Sequence, residues 1–137
     1  MGKGLTPHNK IVIMAAMTET TLWRIEFYQD ERGRRPVEEW ISGLDVTERT
    51  RIRRTVDLLS TYGIQLTMPY ARHLRGTVWE LRIAAKRRDY RVLYAAVIGR
   101  RFILLHGFSK ETAKTPAGEL EMAERRLADF IARSKET

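Results

Sequence analysis

The chain contains no cysteine among its 137 residues, so it can form neither a disulfide framework nor a thiolate metal site. A cysteine nucleophile is excluded for the same reason. Histidine is also scarce, and His8, His73 and His106 are too scattered to match the ligand spacing of a zinc site. We therefore expect a protein that uses no metal and no other cofactor.

Long hydrophobic runs are lacking as well. Even the longest runs, such as residues 11–17, have only seven residues, whereas a membrane-spanning helix needs roughly 20. Lys3 and Lys10 precede this run as in a signal peptide, but no small-residue cleavage pattern follows it. The sequence thus predicts a cytoplasmic protein that does not associate with a membrane.

The length and a composition of 43% hydrophobic and 31% charged residues are typical of one globular domain. The first residues include Gly2 and Gly4 and show no clear periodicity, and a second methionine, Met17, precedes the first strand-like run. We predict that residues 1–19 are a flexible N-terminal extension and that residues 20–137 form the domain.

The positive charge is confined to one third of the chain. Residues 70–114, here called the basic segment, contain eleven Lys and Arg but only three acidic residues, which accounts for the whole net charge of +8. The rest of the chain carries 14 basic and 14 acidic side chains and is neutral. Because clustered cations release counterions when they bind phosphates, the basic segment predicts a surface that faces a polyanion.

Local patterns predict a strand and two helices in the first half of the domain. Residues 21–28 are rich in β-branched and aromatic residues, and their apolar side chains alternate as in a strand. Pro36 indicates the start of a first helix. Asp45, with Glu48 three residues later, fits the start of a second helix, and Gly63 fits its end.

The second half predicts strands and a last helix. Strands are expected at residues 71–74, 78–84, 89–98 and 101–109. Thr115 and Pro116, a cap followed by proline, indicate a helix whose apolar stripe comprises Leu120, Ala123, Leu127, Phe130 and Ile131. This order predicts an α+β domain, a small antiparallel sheet with two N-terminal helices and a C-terminal helix on one face.

The turns predict how the strands pair. Gly99 and Arg100 suit a two-residue hairpin, which would place Ile98 opposite Arg101. Arg91 would then lie opposite Phe108, and Leu93 opposite His106. In the preceding hairpin, a loop around Lys86 and Arg87 with an even number of residues would place Ile83 opposite Tyr90. Since side chains alternate between faces, the predicted core face carries Trp79, Leu81, Ile83, Tyr90, Val92, Tyr94, Ile103 and Leu105. The other face carries Glu80, Arg82, Arg91, Leu93, His106 and Phe108.

Arg82 and Arg91 are thus predicted to lie opposite each other on adjacent strands. Like charges in that position destabilise an ordinary sheet, and one carboxylate, Glu80, would serve both guanidiniums. A surface salt bridge with a spare arginine is one interpretation. We favour an anion site, in which two forked donors are held ready for a phosphate.

His106, next to Phe108 on that face, has a side chain whose ordinary pKa suits proton transfer near neutral pH. A single strand histidine is, however, more often a packed or hydrogen-bonded residue. Lys110 and Lys114 follow the last strand and could close over a phosphate, although a solvated loop would contain the same residues. These alternatives stay open at the level of the sequence.

Four motifs resemble the phage-derived HigB-like toxins of the RelE/ParE superfamily. They are Val-Trp-Glu-Leu-Arg at residues 78–82, Tyr-Arg-Val-Leu-Tyr at 90–94, Leu-Leu-His-Gly-Phe-Ser-Lys at 104–110 and Lys-Thr-Pro at 114–116. The resemblance extends over roughly residues 21–133. It implies a RelE/ParE-like fold and the toxin of a type II toxin–antitoxin system, a metal-independent endoribonuclease that cuts mRNA on the ribosome with the RNA 2′-OH as nucleophile.

The resemblance also implies partners and roles for particular residues. The partners are the ribosome, mRNA and a cognate antitoxin, of the helix-turn-helix type, with which the toxin forms a hetero-oligomer. The catalytic candidates are Arg82 and Arg91 on the scissile phosphate, Lys110 as a further cation, and His106 or Glu80 for proton transfer. Further contacts to RNA phosphates are expected from Arg75, Lys86, Arg87, Arg88 and Lys114.

The chain departs from the RelE pattern at several positions. RelE-type enzymes use a lysine-rich strand, where this chain has Trp79 and Glu80, and a tyrosine near the C-terminus, whereas no tyrosine follows Tyr94. Two other functions therefore remain open. One is a ParE-like, non-catalytic inhibitor of DNA gyrase, which uses the same scaffold. The other is a basic nucleic-acid-binding module.

Overall fold

A computed structural model describes residues 22–110 and 114–135 of the chain. The predicted N-terminal extension, residues 1–19, lies outside the described residues. The elements are, in order, β1 (Arg24–Phe27), α1 (Pro36–Ser42), α2 (Val46–Tyr62), a 3₁₀ turn (Gly63–Gln65), β2 (Ala71–Arg75), β3 (Val78–Ile83), β4 (Tyr90–Val97), β5 (Arg101–Ser109) and α3 (Ala117–Ser134). The α+β class and the predicted order of elements are confirmed.

The sheet is mixed rather than wholly antiparallel. Its strand order is β1-β5-β4-β3-β2, and β2 to β5 pair antiparallel with their neighbours. β1 lies parallel to β5, with Arg24 opposite Arg101 and Phe27 opposite Leu104. A parallel pair needs a long connection, and here α1, α2 and the meander supply it.

The helices cover both faces of the sheet, so the prediction that all three lie on one face is wrong. α1 and α2 bury one core, which includes Val37, Ile52 and Leu59. α3 buries a second core on the opposite face, where Ala123 and Leu127 pack against strand residues such as Leu93. Two-sided burial is favourable here because β4 and β5 carry apolar side chains on both faces.

Several helix ends agree with their sequence signals. α1 begins at Pro36, and the Asp45 carboxylate accepts a hydrogen bond from the Glu48 amide at 2.9 Å at the start of α2. Gly63 ends α2 with a φ of 60°, and a Cβ atom there would lie 2.3 Å from the indole nitrogen of Trp23. Glycine is therefore required both by the backbone and by the packing.

The start of α3 differs from its prediction. No side chain caps this helix, whose cap residue is Pro116. The hydroxyl of Thr115 instead donates a hydrogen bond to the Glu80 carboxylate on the sheet. Ile131, predicted to be in the buried stripe, is 41% exposed because it lies on the solvent side of α3.

Two deviations in the β4–β5 hairpin compensate each other. Val97, not Ile98, pairs with Arg101, so the turn has three residues rather than two. A bulge between Leu93 and Tyr94 then shifts the register by one residue. Ile103 and Leu105 consequently pack in the α3 core and not on the predicted face. Beyond the bulge, the predicted pairs are confirmed, namely Leu93 with His106, Arg91 with Phe108, Arg82 with Arg91 and Ile83 with Tyr90.

No helix within residues 22–110 and 114–135 has both the length and the apolar character needed to cross a bilayer.

Candidate functional site

Two arginines on neighbouring strands contact one carboxylate, and a third arginine is paired with one of them across the sheet. Arg72 on β2 pairs with Glu80 on β3, and Arg82 on β3 pairs with Arg91 on β4. Because directly paired residues project to the same side of a sheet, the four side chains share the face that α3 partly covers. We call Arg72, Arg82 and Arg91 the arginine cluster.

Glu80 is the buried centre of this arrangement and only 1% exposed. Its Oε1 lies 3.4 Å from Nη2 of Arg72 and 3.5 Å from Nε of Arg91, while its Oε2 accepts the hydrogen bond from Thr115. A buried carboxylate is tolerated only when charged or hydrogen-bonding groups compensate for lost hydration. Glu80 thus fixes two arginines and the start of α3 at one point.

Arg91 is also buried, with 4% of its surface exposed, and its Nη1 donates to the backbone oxygen of Tyr90 at 3.0 Å. Burial lowers the pKa of Arg91, the Glu80 charge opposes that change, and the nearby charge of Arg82 lowers the pKa further. An arginine nevertheless stays protonated in a protein. Arg91 therefore contributes a permanent positive charge beneath the surface.

Arg82 reaches the edge of the sheet. Its Nη1 lies 3.6 Å from the sulfur of Met68, and no carboxylate among the described residues lies within ion-pair distance of it. The arginine cluster therefore has two guanidiniums on the buried carboxylate of Glu80 and a third without a carboxylate partner among the described residues, which leaves an excess of positive charge. That excess is what an anion site requires.

His106 lies on the same face, two strands from Glu80 with Leu93 between them, and stacks on Phe108 at 5.6 Å between ring centroids. Its Nε2 is 2.8 Å from the Glu119 carboxylate, and its Nδ1 is 3.3 Å from Nη1 of Arg126. Arg126 can only donate, so Nδ1 accepts and Nε2 carries the proton toward Glu119. Both ring nitrogens are thus occupied by side chains of α3.

The remaining candidates divide between two ends of the sheet. Lys86, Arg87 and Arg88 are exposed in the β3–β4 loop beside the arginine cluster, and the Lys110 amide bonds to Asp89 in that loop at 2.9 Å. Lys114 is exposed just before α3. Arg75 lies at the other end of β2 and forms a two-pronged ion pair with Glu124 at 2.7 and 3.0 Å, which neutralises its charge.

Sequence reasoning missed the contributions of Arg72, Thr115, Glu119 and Arg126. Arg72 belongs to the basic segment, and the signal that could have found it is its place two residues into a predicted strand next to Glu80. The other three belong to the start and body of α3. They were missed because that helix was expected on the opposite face of the sheet.

Within the described ranges 22–110 and 114–135, no group of three His, Asp or Glu side chains could hold a metal ion. No curated protein matches the chain. Residues 39–128, well over half of the chain, match the family described as "Phage derived protein Gp49-like (DUF891)". This match agrees with the mixed α+β fold, and the chain therefore belongs to the Gp49-like family of phage-derived proteins, a family of RelE/HigB-like toxins.

Proposed function

We propose that the chain is the toxin component of a type II toxin–antitoxin system and cleaves mRNA on the ribosome. The observation that carries this proposal is the arginine cluster, in which buried Glu80 orients two of the three guanidiniums. One carboxylate cannot neutralise three arginines, so the cluster keeps a net positive charge. Donors that are fixed before the substrate arrives stabilise developing charge without reorganisation. A phosphate that gains charge during cleavage is the matching substrate.

The proposed reaction uses the 2′-OH of the RNA. A base takes the 2′-OH proton, O2′ attacks the adjacent phosphorus, and the bond from phosphorus to the 5′-oxygen breaks. An acid then protonates the leaving 5′-oxygen, so the products are a 2′,3′-cyclic phosphate and a 5′-OH. The arginine cluster, aided by Lys110, would stabilise the pentacovalent phosphate.

The reaction also needs a group that transfers protons, for which the sequence offered Glu80 and His106. Glu80 is too buried to reach a 2′-OH, which leaves His106 as the candidate. In the free protein Glu119 and Arg126 occupy both nitrogens of its ring. His106 can act only after RNA binding displaces one of these two side chains, and catalytic hydrogen bonds do rearrange in this way when substrate binds.

The occupied His106 ring also favours a second candidate function, the ParE-like inhibitor of DNA gyrase. Such an inhibitor binds its target and needs no group that transfers protons. The arginine cluster would then contact an acidic or phosphate-bearing surface without any bond being broken. The two functions predict different damage in the cell.

The experiment is expression of the chain in growing cells, followed by primer extension on translated mRNA. Cuts within codons are expected, and Arg82→Ala should abolish them because it removes the guanidinium of the cluster that has no carboxylate partner among the described residues. Arg32→Ala, an equal charge change at an exposed turn, should cut as the wild type does. Intact mRNA together with DNA-damage signalling would refute the nuclease and support the inhibitor.

A further inference from the structure

A cavity of about 290 Å³ lies beside α2 at the edge of the sheet, where β2 has ended and Arg82 is an edge residue. Arg51 and Arg54 line it from α2, Arg82 lines it from β3, and Tyr70 lines it from the segment before β2. The fold thus brings two arginines of α2 together with a member of the arginine cluster.

The cavity carries positive charge that the described residues do not neutralise. None of Arg51, Arg54 and Arg82 has a carboxylate within ion-pair distance among residues 22–110 and 114–135. On α2, Glu48 accepts a hydrogen bond from the Tyr90 hydroxyl, and Asp57, three residues after Arg54, forms no ion pair with it among the described residues. Uncompensated like charges three residues apart on a helix are unfavourable unless an anion binds between them.

The lining also offers an aromatic surface. Tyr70, which lines the cavity, is 45% exposed. Its backbone oxygen accepts a hydrogen bond from the Arg82 amide on β3. Proteins that bind single-stranded nucleic acids combine arginines along the phosphate backbone with aromatic rings on which bases stack. An acidic peptide would use the arginines but not the ring, so the lining favours RNA.

We propose that Arg51, Arg54 and Arg82 bind a backbone phosphate of single-stranded RNA in this cavity, and that a neighbouring base stacks on Tyr70. The inference rests on the proposed function for its substrate. Arg82 borders both the cavity and the arginine cluster, so one RNA strand would cross the sheet edge from the scissile phosphate to this second phosphate. The cavity would thereby hold the RNA in register for cleavage.

The test is the affinity of the full chain for a fluorescent, 2′-O-methylated RNA oligonucleotide, measured by anisotropy at several salt concentrations. This RNA has no free 2′-OH, so binding is measured without cleavage. Arg54→Ala should weaken binding roughly tenfold at low salt. It should also reduce the slope of log affinity against log salt by about 0.7, the value for one lost contact to a single-stranded phosphate.

Arg53→Ala is the matched control, because Arg53 is adjacent in sequence but lines a different cavity, with Arg49, on the other side of α2. It should change neither the affinity nor the slope by more than a small fraction of the Arg54→Ala effect. Tyr70→Leu should weaken binding and leave the slope unchanged, since it removes stacking and no charge. Equal effects of Arg53→Ala and Arg54→Ala would overturn the proposal and indicate nonspecific electrostatic attraction of RNA to the whole basic surface.

Two further outcomes separate this inference from the proposed function. A polyglutamate peptide that binds the wild type as tightly as RNA, and loses affinity in Arg54→Ala, would overturn RNA as the ligand. If primer extension shows no cleavage while Arg54→Ala still selectively weakens RNA binding, the proposed RNA site in the cavity is supported and the proposed nuclease function is refuted. If the chain cleaves mRNA but Arg54→Ala has no effect on RNA binding, the proposed nuclease function is supported and the proposed RNA site in the cavity is refuted.

Discussion

At the scale of single residues, Gly107 shows how closely a helix is fitted to the sheet. A Cβ atom at this position would lie 2.3 Å from Cε3 and Cζ3 of Trp40 on α1. Gly107→Ala should therefore displace the indole and lower the free energy of unfolding by about 1–3 kcal/mol, measured by urea denaturation.

Gly118→Ala provides the control for that prediction. Nothing lies within 4 Å of the added carbon, and Gly118 sits in the first turn of α3. Alanine there should leave stability unchanged or raise it by up to about 1 kcal/mol, because glycine is the poorer helix former. A loss of stability as large as that of Gly107→Ala would mean that the close approach of Trp40 is not the cause.

Tyr90 predicts a pH dependence of stability. Burial, and next the hydrogen bond to Glu48, raise the pKa of Tyr90 from 10.0 to about 12. Because the raised value belongs to the folded state, the stabilisation is complete below about pH 10 and is lost as the pH rises through about 12. Between pH 8 and pH 11, urea denaturation should show that the wild type loses about 1 kcal/mol more than Tyr90→Phe does.

The remaining basic and phenolic groups are present in both proteins, so the difference isolates Tyr90. At pH 8 the variant should be less stable by about 1 kcal/mol, since it lacks the hydrogen bond to Glu48. Parallel pH profiles of the two proteins would contradict the raised pKa.

The sequence predicted the Arg82–Arg91 pair because alternation and one turn length determine it. It did not predict that Glu80 is buried, since carboxylates are rarely buried and the compensating Thr115 belongs to a distant element. That His106 is hydrogen-bonded was one of the two interpretations left open by the sequence, but its partners on α3, Glu119 and Arg126, escaped prediction for the same reason. Local patterns specify which face a side chain takes, whereas its partners depend on how helices dock.

At the scale of elements, α3 covers the second face of the sheet and buries a core of its own. Leu127 is 9% exposed and packs in the core beneath this helix, whereas Ile131, one turn later, is 41% exposed. Leu127→Ala should lower the free energy of unfolding by about 2–4 kcal/mol, and Ile131→Ala by less than about 1 kcal/mol. Thermal or urea denaturation of both variants checks this, and equal losses would place α3 in a different rotation on the sheet.

The burial of β4 and β5 on both faces of the sheet is indicated by the sequence, although the alternating interpretation did not use that indication. Residues 92–98 and 102–105 are continuous apolar runs, which are typical of strands covered on both faces. Interpreted as alternating strands, these runs predict only one apolar face of the sheet. All three helices were therefore expected to pack on that one face. The parallel position of β1 was not predictable in this way, because it depends on packing between elements far apart in sequence.

At the scale of the whole molecule, the basic segment is not one patch. Antiparallel hairpins place successive turns at opposite ends of the sheet. Lys86, Arg87 and Arg88 therefore lie at the end that holds the arginine cluster, whereas Arg100 and Arg101 lie at the other end. Only the first group can steer an anion toward the candidate site.

This distribution bears on the proposed antitoxin partner. An acidic segment of the antitoxin that covers the arginine cluster and the β3–β4 loop would bind mainly through charge. Isothermal titration of the purified toxin with its antitoxin should then show affinity falling steeply as salt is raised to about 1 M. An affinity that persists undiminished in that salt would indicate an apolar interface instead.

The bulge between Leu93 and Tyr94 has a consequence for how the family can vary. It separates the turn end of the β4–β5 hairpin from the end that holds Arg91 and the row from Glu80 to His106. Turns are where insertions and deletions are best tolerated. A change of one residue in the turn can be absorbed at the bulge, so the register around Arg91 does not depend on the length of the turn.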